Sequence, residues 1–279
     1  PELDPWGNVL SPHEGNAYRL AEFFMKKNEF PIARKYLSLL ESPDYASDKS
    51  RLAGEMALQE TGVSQAMPFF RESLASAAPR ERRAVFWRIA RLLVESDHLS
   101  QCLEMAMRTN GASGEDETKF SFPSATDRLD VLQFAIHRGK HTQALPWLEA
   151  MKKEGEGPPQ LDFLLSLCHG QRQDREKALE YAQRAFEREC KNHEYAGHLF
   201  QMLFSLGMAE KVSWYLGKYE DRISRPAVFF AMMARHYAQG KKMKKSWPWI
   251  QKAVSAEPAN PEYKALLQKI WLSMDKGNS

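Results

Sequence analysis

Seven compact side chains fall along this chain at nearly even intervals. Ala33, Ala66, Cys102, Ala144, Ala178, Val212 and Ser246 stand 33, 36, 42, 34, 34 and 34 residues apart. Twelve residues before each stands a second set, Ala21, Gly54, Ala90, Leu132, Ser166, Phe200 and Ala234, most of them small as well. An interval of about 20–50 residues marks a repeat array, in which each unit buries its apolar face only against its neighbours. Small residues at matched positions let two helices approach closely. The interval therefore constrains the fold more tightly than composition does.

Proline gives a second view of the register. Pro68, Pro146 and Pro248 each follow the compact residue of their unit by two. In a helix interior proline costs about 3 kcal/mol, but in the first turn the N–H it lacks has no partner anyway. The second helix of each unit is therefore expected to begin about four residues before these prolines. Turn-forming residues recur at one phase between the two sets: Asn28-Glu29, Gly62, Ser96-Asp97, Gly139, Gln173-Asp174, Gly207 and Gly240. Each unit reads as helix, tight turn, helix.

On these residues the chain resembles the tetratricopeptide repeat family over about residues 14–260. The last unit carries the likeness most fully, with Ala234, Tyr237, Gly240, Ala253 and Pro258 at the family's small, aromatic, turn, small and helix-stop positions. The first unit matches through Leu20, Ala21, Phe24, Phe30 and Ala33, whereas Cys102, Val212 and Ser246 replace the usual alanine elsewhere. The resemblance implies an all-α fold, a right-handed superhelix of about seven antiparallel helix pairs with a concave inner face. It also implies a function: a non-enzymatic scaffold or adaptor that holds a partner protein or peptide in that groove.

In the family's register the first helices would turn Tyr18 and Glu22, Arg51 and Glu55, Trp87, Arg88 and Arg91 toward the groove. Leu129 and Gln133, Phe163 and Leu167, His198 and Gln201, and Arg235 would continue the row. Arg51, Arg88 and Arg91 beside Trp87 form the group best suited to an acidic partner segment. Guanidinium groups grip carboxylates in bidentate fashion, and tryptophan is a frequent anchor. Some family members clamp a C-terminal carboxylate with paired Lys and Asn; Tyr18 and Glu22 occupy the corresponding first-unit places, which argues against that ligand.

Three segments frame the array. Residues 1–13 read as an N-terminal extension that ends in a capping box, Ser11-Pro12-His13-Glu14, with Ser11 and Glu14 each expected to satisfy backbone N–H groups. Residues 261–279 read as a capping helix and tail, with Tyr263, Leu266, Leu267, Ile270, Trp271 and Met274 on one apolar stripe. The interval of 42 places an insertion near residues 110–125. It is either a solvated linker or, through Phe120 and Phe122, a further contact for a partner.

Composition and motifs bound the function from the other side. Hydrophobic residues at 43% and charged residues at 27% fit a folded protein, and a net charge of +3 selects no class of partner. No apolar run reaches the roughly eighteen residues of a membrane span. Pro1 in place of a methionine is read as the loss of an upstream segment, which leaves a membrane-tethered or periplasmic scaffold of bacterial secretion or polysaccharide export as an alternative to a cytoplasmic one. Three cysteines, Cys102, Cys168 and Cys190, make no disulfide framework and fit a reducing compartment as small buried residues. No phosphate loop, zinc-protease helix or nucleophile elbow occurs, and no cofactor is expected. Cys190, His193 and His198 have loosely metal-like spacing but lack a clear fourth ligand, so an enzyme or metal protein built there is the remaining alternative of another class. Lys241, Lys242, Lys244 and Lys245 form the densest basic run. Without interleaved aromatics it does not point to nucleic acid.

Overall fold

The computed structural model describes residues 14–108 and 125–275. Every regular element among them is helical. α1 (Glu14–Lys26) pairs with α2 (Phe30–Ser38), α3 (Ala46–Glu60) with α4 (Val63–Ser76), and α5 (Arg82–Glu95) with α6 (Leu99–Arg108). α7 (Ala125–His137) and α8 (His141–Glu154) follow. α9 (Pro159–Gln171) pairs with α10 (Arg175–Arg188), α11 (His193–Ser205) with α12 (Ala209–Tyr219), α13 (Pro226–Gln239) with α14 (Met243–Ala256), and α15 (Pro261–Asp275) packs on α14. Two compact bodies share the chain, Pro1–Gln143 and Ala144–Ser279, and the division falls inside α8. The fold is an all-α array of helix hairpins.

The two residue sets that define the interval form its seam. All seven compact residues of the second helices are 0% exposed, and the matching set in the first helices is buried throughout. Gly54 shows why size matters there. A Cβ on Gly54 would lie 2.6 Å from the ring of Phe70, which is itself fully buried, so any larger residue displaces that ring. Where the seam carries a hydroxyl it is satisfied across the hairpin: Ser166 Oγ donates to the Ala178 carbonyl at 2.7 Å and Ser246 Oγ to the Ala234 carbonyl at 2.6 Å.

The hairpin turns share one mechanism. Asn28, Asp97, Gly139, Gln173, Gly207 and Lys241 adopt left-handed backbone, and the next N–H reaches back to close the preceding helix. Those closures include Glu29 to Phe24 at 2.9 Å, His98 to Leu93 at 2.7 Å, Met208 to Leu203 at 2.8 Å and Lys242 to Tyr237 at 2.8 Å. Each satisfies carbonyls that a helix end would leave without partners. The last turn corrects the sequence reading. Gly240 keeps φ −76°, and Lys241 takes the bend because α13 closes on Tyr237 rather than one residue earlier. Gly62 differs from the others, with φ 100° and ψ 177°, a region open only to glycine.

The prolines also depart from expectation. α4, α8 and α14 begin at Val63, His141 and Met243, five residues before Pro68, Pro146 and Pro248, so each proline lies past the first turn. All three are exposed, as are Ser64, Thr142 and Lys244 four residues earlier. The carbonyl that loses its helical donor thus belongs to an exposed residue on the solvent side of the helix, where water is at hand to replace the donor.

At the ends, the reading of the capping box changes. Glu14 Oε1 accepts from the N–H groups of Glu41 and Ser42, both at 2.8 Å, and so caps the break after α2. Ser11 and Pro12 lie outside the described residues, as do Phe120 and Phe122 in the insertion between α6 and α7. α15 starts at Pro261, with the Asn260 side chain accepting from Glu262 N at 3.1 Å. Tyr263 and Ile270 are buried against α14, and Leu266, Leu267 and Met274 pack partly against the same core. Trp271 is 53% exposed and falls off the stripe. Its position at the helix edge, one residue beyond Ile270, turns it away from α14. Gln268 stands 34 residues after Ala234, at a seam position, and is exposed. Among the described helices, none is long and apolar enough to cross a membrane.

Candidate functional site

In the N-terminal body the first helices of three successive hairpins meet in one polar network. Arg51 on α3 is its centre and is only 5% exposed. Its guanidinium pairs with Glu55, donates to the Tyr18 hydroxyl at 2.8 Å, and reaches Glu22 and Asp48 at 3.2 Å each. Tyr18 donates in turn to Glu22 at 2.8 Å. Burial works against the charge of Arg51, but Glu55, Tyr18 and Asp48 more than offset it and hold its pKa above the ordinary value. Desolvation pushes the Glu55 carboxyl up, with the Arg51 guanidinium pulling the other way. Arg51 and Glu55 are thus engaged with this chain's own side chains and offer little to a ligand.

Arg88 and Arg91 on α5 are different. Both are exposed, and the three-residue spacing puts them on one helix face, with half-buried Trp87 beside them. Arg88 comes no closer than 3.8 Å to Asp48, its one ion-pair contact among the described residues. Leu129 is wholly buried and belongs to the core, and Gln133 is half-buried with interactions of its own.

In the C-terminal body the corresponding row is aromatic. Phe163 on α9, 3% exposed, packs on Tyr195 with ring centres 4.8 Å apart and meets His198 edge-on at 5.4 Å. His198 Nε2 lies 2.8 Å from Ser166 Oγ. The single hydroxyl proton of Ser166 goes to the Ala178 carbonyl, so the imidazole donates and Nε2 carries its proton. Desolvation lowers the His198 pKa and favours this neutral form. Farther along, Phe204 stacks on His236 at 4.6 Å, and exposed Arg235 pairs with Glu262 at 3.3 Å. Gln201 is exposed and Leu167 half-buried. Phe163 therefore packs inside the array, whereas Gln201 and Arg235 remain at its surface.

Two structural residues escaped the sequence reading. Asp48 joins Arg51 and Arg88, and Asp162, 1% exposed, is held by Lys152 at 2.7 Å and Arg188 at 2.9 Å. Arg188 and Lys152 also bind the carbonyls of Gly157 and Glu156 at 2.6 and 3.1 Å, tying down the link between α8 and α9. The signal for Asp48 was its three-residue spacing before Arg51 on the same helix; nothing marked Asp162 among the many charged residues.

The metal-like trio has other occupations. Cys190 is buried with Phe186 and Phe200 in one core, His193 packs on the Phe229 ring at 5.0 Å, and His198 is held by Ser166. Among the described residues, no group of three or more His, Cys, Asp or Glu is arranged to hold a metal ion. Cys102 and Cys168 are also buried, and desolvation pushes both thiols up to about 12, away from reactive thiolates.

Hairpin repeats joined by left-handed turns, with compact residues twelve apart across each seam, decide the type of fold. The chain is similar to tetratricopeptide repeat proteins. No protein-family model and no curated protein matches it. Solved structures align along most of its length at low identity. The Cut9–Hcn1 hetero-tetramer of the APC/C aligns at 13% identity and TM-score 0.43, over 93% of this chain and 46% of that one, so the present chain spans about half its length. A tetratricopeptide repeat protein from Parabacteroides merdae aligns at 10% identity and TM-score 0.40, over 92% and 98% of the two chains. The C-terminal part of a repeat protein from Cytophaga hutchinsonii aligns at 14% and 0.44, over 90% and 99%.

Proposed function

We propose that this protein is a non-enzymatic interaction scaffold that holds a partner protein or peptide against its first helices. The observation that carries this reading is the α5 face, where Arg88 and Arg91 stand exposed beside Trp87 and, among the described residues, the one ion pair is Arg88 with Asp48 at 3.8 Å. Neighbouring Arg51 is neutralised by three carboxylates, so the α5 arginines have a different role from it. An acidic partner segment supplies what the face lacks, since each guanidinium can take a carboxylate in bidentate fashion while the indole covers an apolar side chain. Gln201 and Arg235 would offer contacts of their own in the C-terminal body, and Phe120 and Phe122 would add contacts from the insertion. Three buried free thiols fit a reducing compartment such as the cytoplasm.

The test uses the protein immobilised as bait against lysate of its native source, followed by titration of the captured partner. Arg88→Glu with Arg91→Glu should leave the circular dichroism spectrum and melting temperature intact, because both residues are solvated in the free protein. Affinity should fall by about 2–5 kcal/mol, the usual loss when an interfacial charge pair is broken. Unchanged affinity would remove this face from the interaction.

A further inference from the structure

The turn between α13 and α14 concentrates positive charge that the fold does not neutralise. Lys241, Lys242, Lys244 and Lys245 are all exposed within five residues. Lys245 is the one with an ion-pair partner, Glu210 at 3.2 Å, and it also lies over the Tyr237 ring at 5.7 Å. Lys241, Lys242 and Lys244 form no ion pair among the described residues, although Lys242 acts on Glu210 from farther off, and the first turn of α14 contains no acidic residue. The backbone that carries them is fixed, with Lys241 held left-handed at φ 56° and its own N–H bonded to the Ala238 carbonyl at 3.0 Å. Like charges so close together repel one another, more weakly in water and salt than in a dry interior, and an anion among them relieves the repulsion.

The same four lysines line an open surface cavity of about 580 Å³, together with Met243 and with Ser273 and Met274 near the end of α15. We propose that this cavity is a second binding site, for an acidic peptide segment carrying one apolar side chain. It rests on the scaffold reading only in taking a protein as partner; the lysine turn belongs to the C-terminal body and the α5 face to the N-terminal one. The volume suits a few residues of extended chain. Ammonium groups at the rim would meet carboxylates, and the two methionines, unbranched and adaptable, would receive the apolar residue. Nucleic acid fits less well. No aromatic ring lines the cavity to stack a base, and the positive field is confined to one turn, with Glu210 beside it.

A fluorescein-labelled heptapeptide with a central leucine among six Asp and Glu residues provides the probe, read by anisotropy on the full chain. Binding should weaken by at least tenfold in Lys241→Glu with Lys244→Glu, weaken as salt rises from 50 to 300 mM, and weaken when the leucine becomes serine. Thermal melting of the variant checks that the turn still folds; if it does not, Lys241→Gln with Lys244→Gln should give a smaller loss in the same direction. Arg88→Glu with Arg91→Glu is measured in parallel. A loss in that variant and not in the lysine variants would overturn this site while leaving the α5 face in place. No binding by the wild-type chain would overturn it too. So would an oligonucleotide of mixed sequence, or a phosphatidylserine vesicle, that outcompetes the peptide and depends on the same lysines.

Discussion

Ser246 and Ala234, twelve residues apart on α14 and α13, touch through a hydroxyl that donates to a carbonyl at 2.6 Å. Two hairpins earlier the roles are exchanged: Ser166 on the first helix donates to the carbonyl of Ala178 on the second, at 2.7 Å. The seam thus accepts a serine on either side, provided its hydroxyl finds the opposite backbone. Each of these carbonyls has a second lone pair, so the bond is an addition to helical pairing rather than a substitute.

That relationship predicts the tolerance of the seam. Ser246→Ala should change stability by no more than about 1 kcal/mol, since the lost bond is offset by removing a buried hydroxyl and no donor is left unpaired. Ser246→Leu should cost about 1–3 kcal/mol by overpacking a site with no exposed surface. Urea unfolding of both variants measures the difference. Equal stability of the two would mean that the helices separate to make room.

The turn glycines should rank by backbone geometry alone, because a Cβ at Gly62 or Gly207 meets nothing within 4 Å. Gly207 sits at φ 71°, where alanine costs about 1–2 kcal/mol. Gly62 sits at φ 100° and ψ 177°, where a side chain costs up to about 3 kcal/mol. Gly62→Ala should therefore melt below Gly207→Ala, and the reverse order would show that the Gly62 turn relaxes to left-handed geometry.

α15 separates buried from exposed apolar residues within one step. Ile270 is 1% exposed and Trp271 is 53% exposed. Ile270→Ala should cost about 2–5 kcal/mol, and Trp271→Ala less than about 1 kcal/mol. Removing residues 261–279 should lower the melting temperature further and promote aggregation, by baring the α14 surface that Tyr263 and Ile270 cover. A truncated chain as soluble and stable as the full one would show that α15 protects nothing.

Much of this architecture was legible because it follows from repetition. The compact residues at intervals near 34 required no knowledge of contacts, and each proved to be wholly buried. Side-chain destinations were harder. Arg51 looked like a groove ligand because part of its neutralisation is distant in sequence: Asp48 and Glu55 stand three and four residues away on the same helix, but Tyr18 and Glu22 lie 33 and 29 residues earlier. Leu129 and Phe163 shared a face with polar neighbours in sequence, yet packing closes over both. Gly240 drew the turn toward itself by composition, whereas the position of the bend was set by the closure of α13 on Tyr237. Local pattern fixes which residues form a helix, and the last step of packing decides which of its polar side chains are left for a partner.

His198 gives the array a dependence on pH. Its folded pKa lies below the ordinary value of about 6.5, because burial disfavours the imidazolium. The unfolded chain therefore takes up a proton first. The contribution of His198 is complete above pH 6.5 and is lost as pH falls from there through the lowered folded value. His198→Gln keeps a donor for Ser166 but cannot titrate. The variant should lose less stability than the wild type between pH 7 and pH 5; parallel curves would mean that His198 is protonated without penalty.

The Arg51 network makes the most demanding prediction. Replacing Arg51 by methionine removes the cation that contacts Glu55, Glu22 and Asp48 directly and leaves only the looser Arg88, 3.8 Å from Asp48. Glu55 is nearly as buried as Arg51, so its uncompensated charge should dominate the cost, at about 3–5 kcal/mol for a broken buried pair. Glu22 and Asp48 are about one-third exposed and regain water, so they add less. Arg51→Met with Glu55→Leu should therefore be more stable than Arg51→Met alone, although it carries two substitutions instead of one. Guanidinium unfolding would screen the charges under test, so the comparison belongs in urea. If the double variant is the weaker of the two, the side chains act through packing and hydrogen bonds, and electrostatic pairing is a minor part of what holds α1 and α3 together.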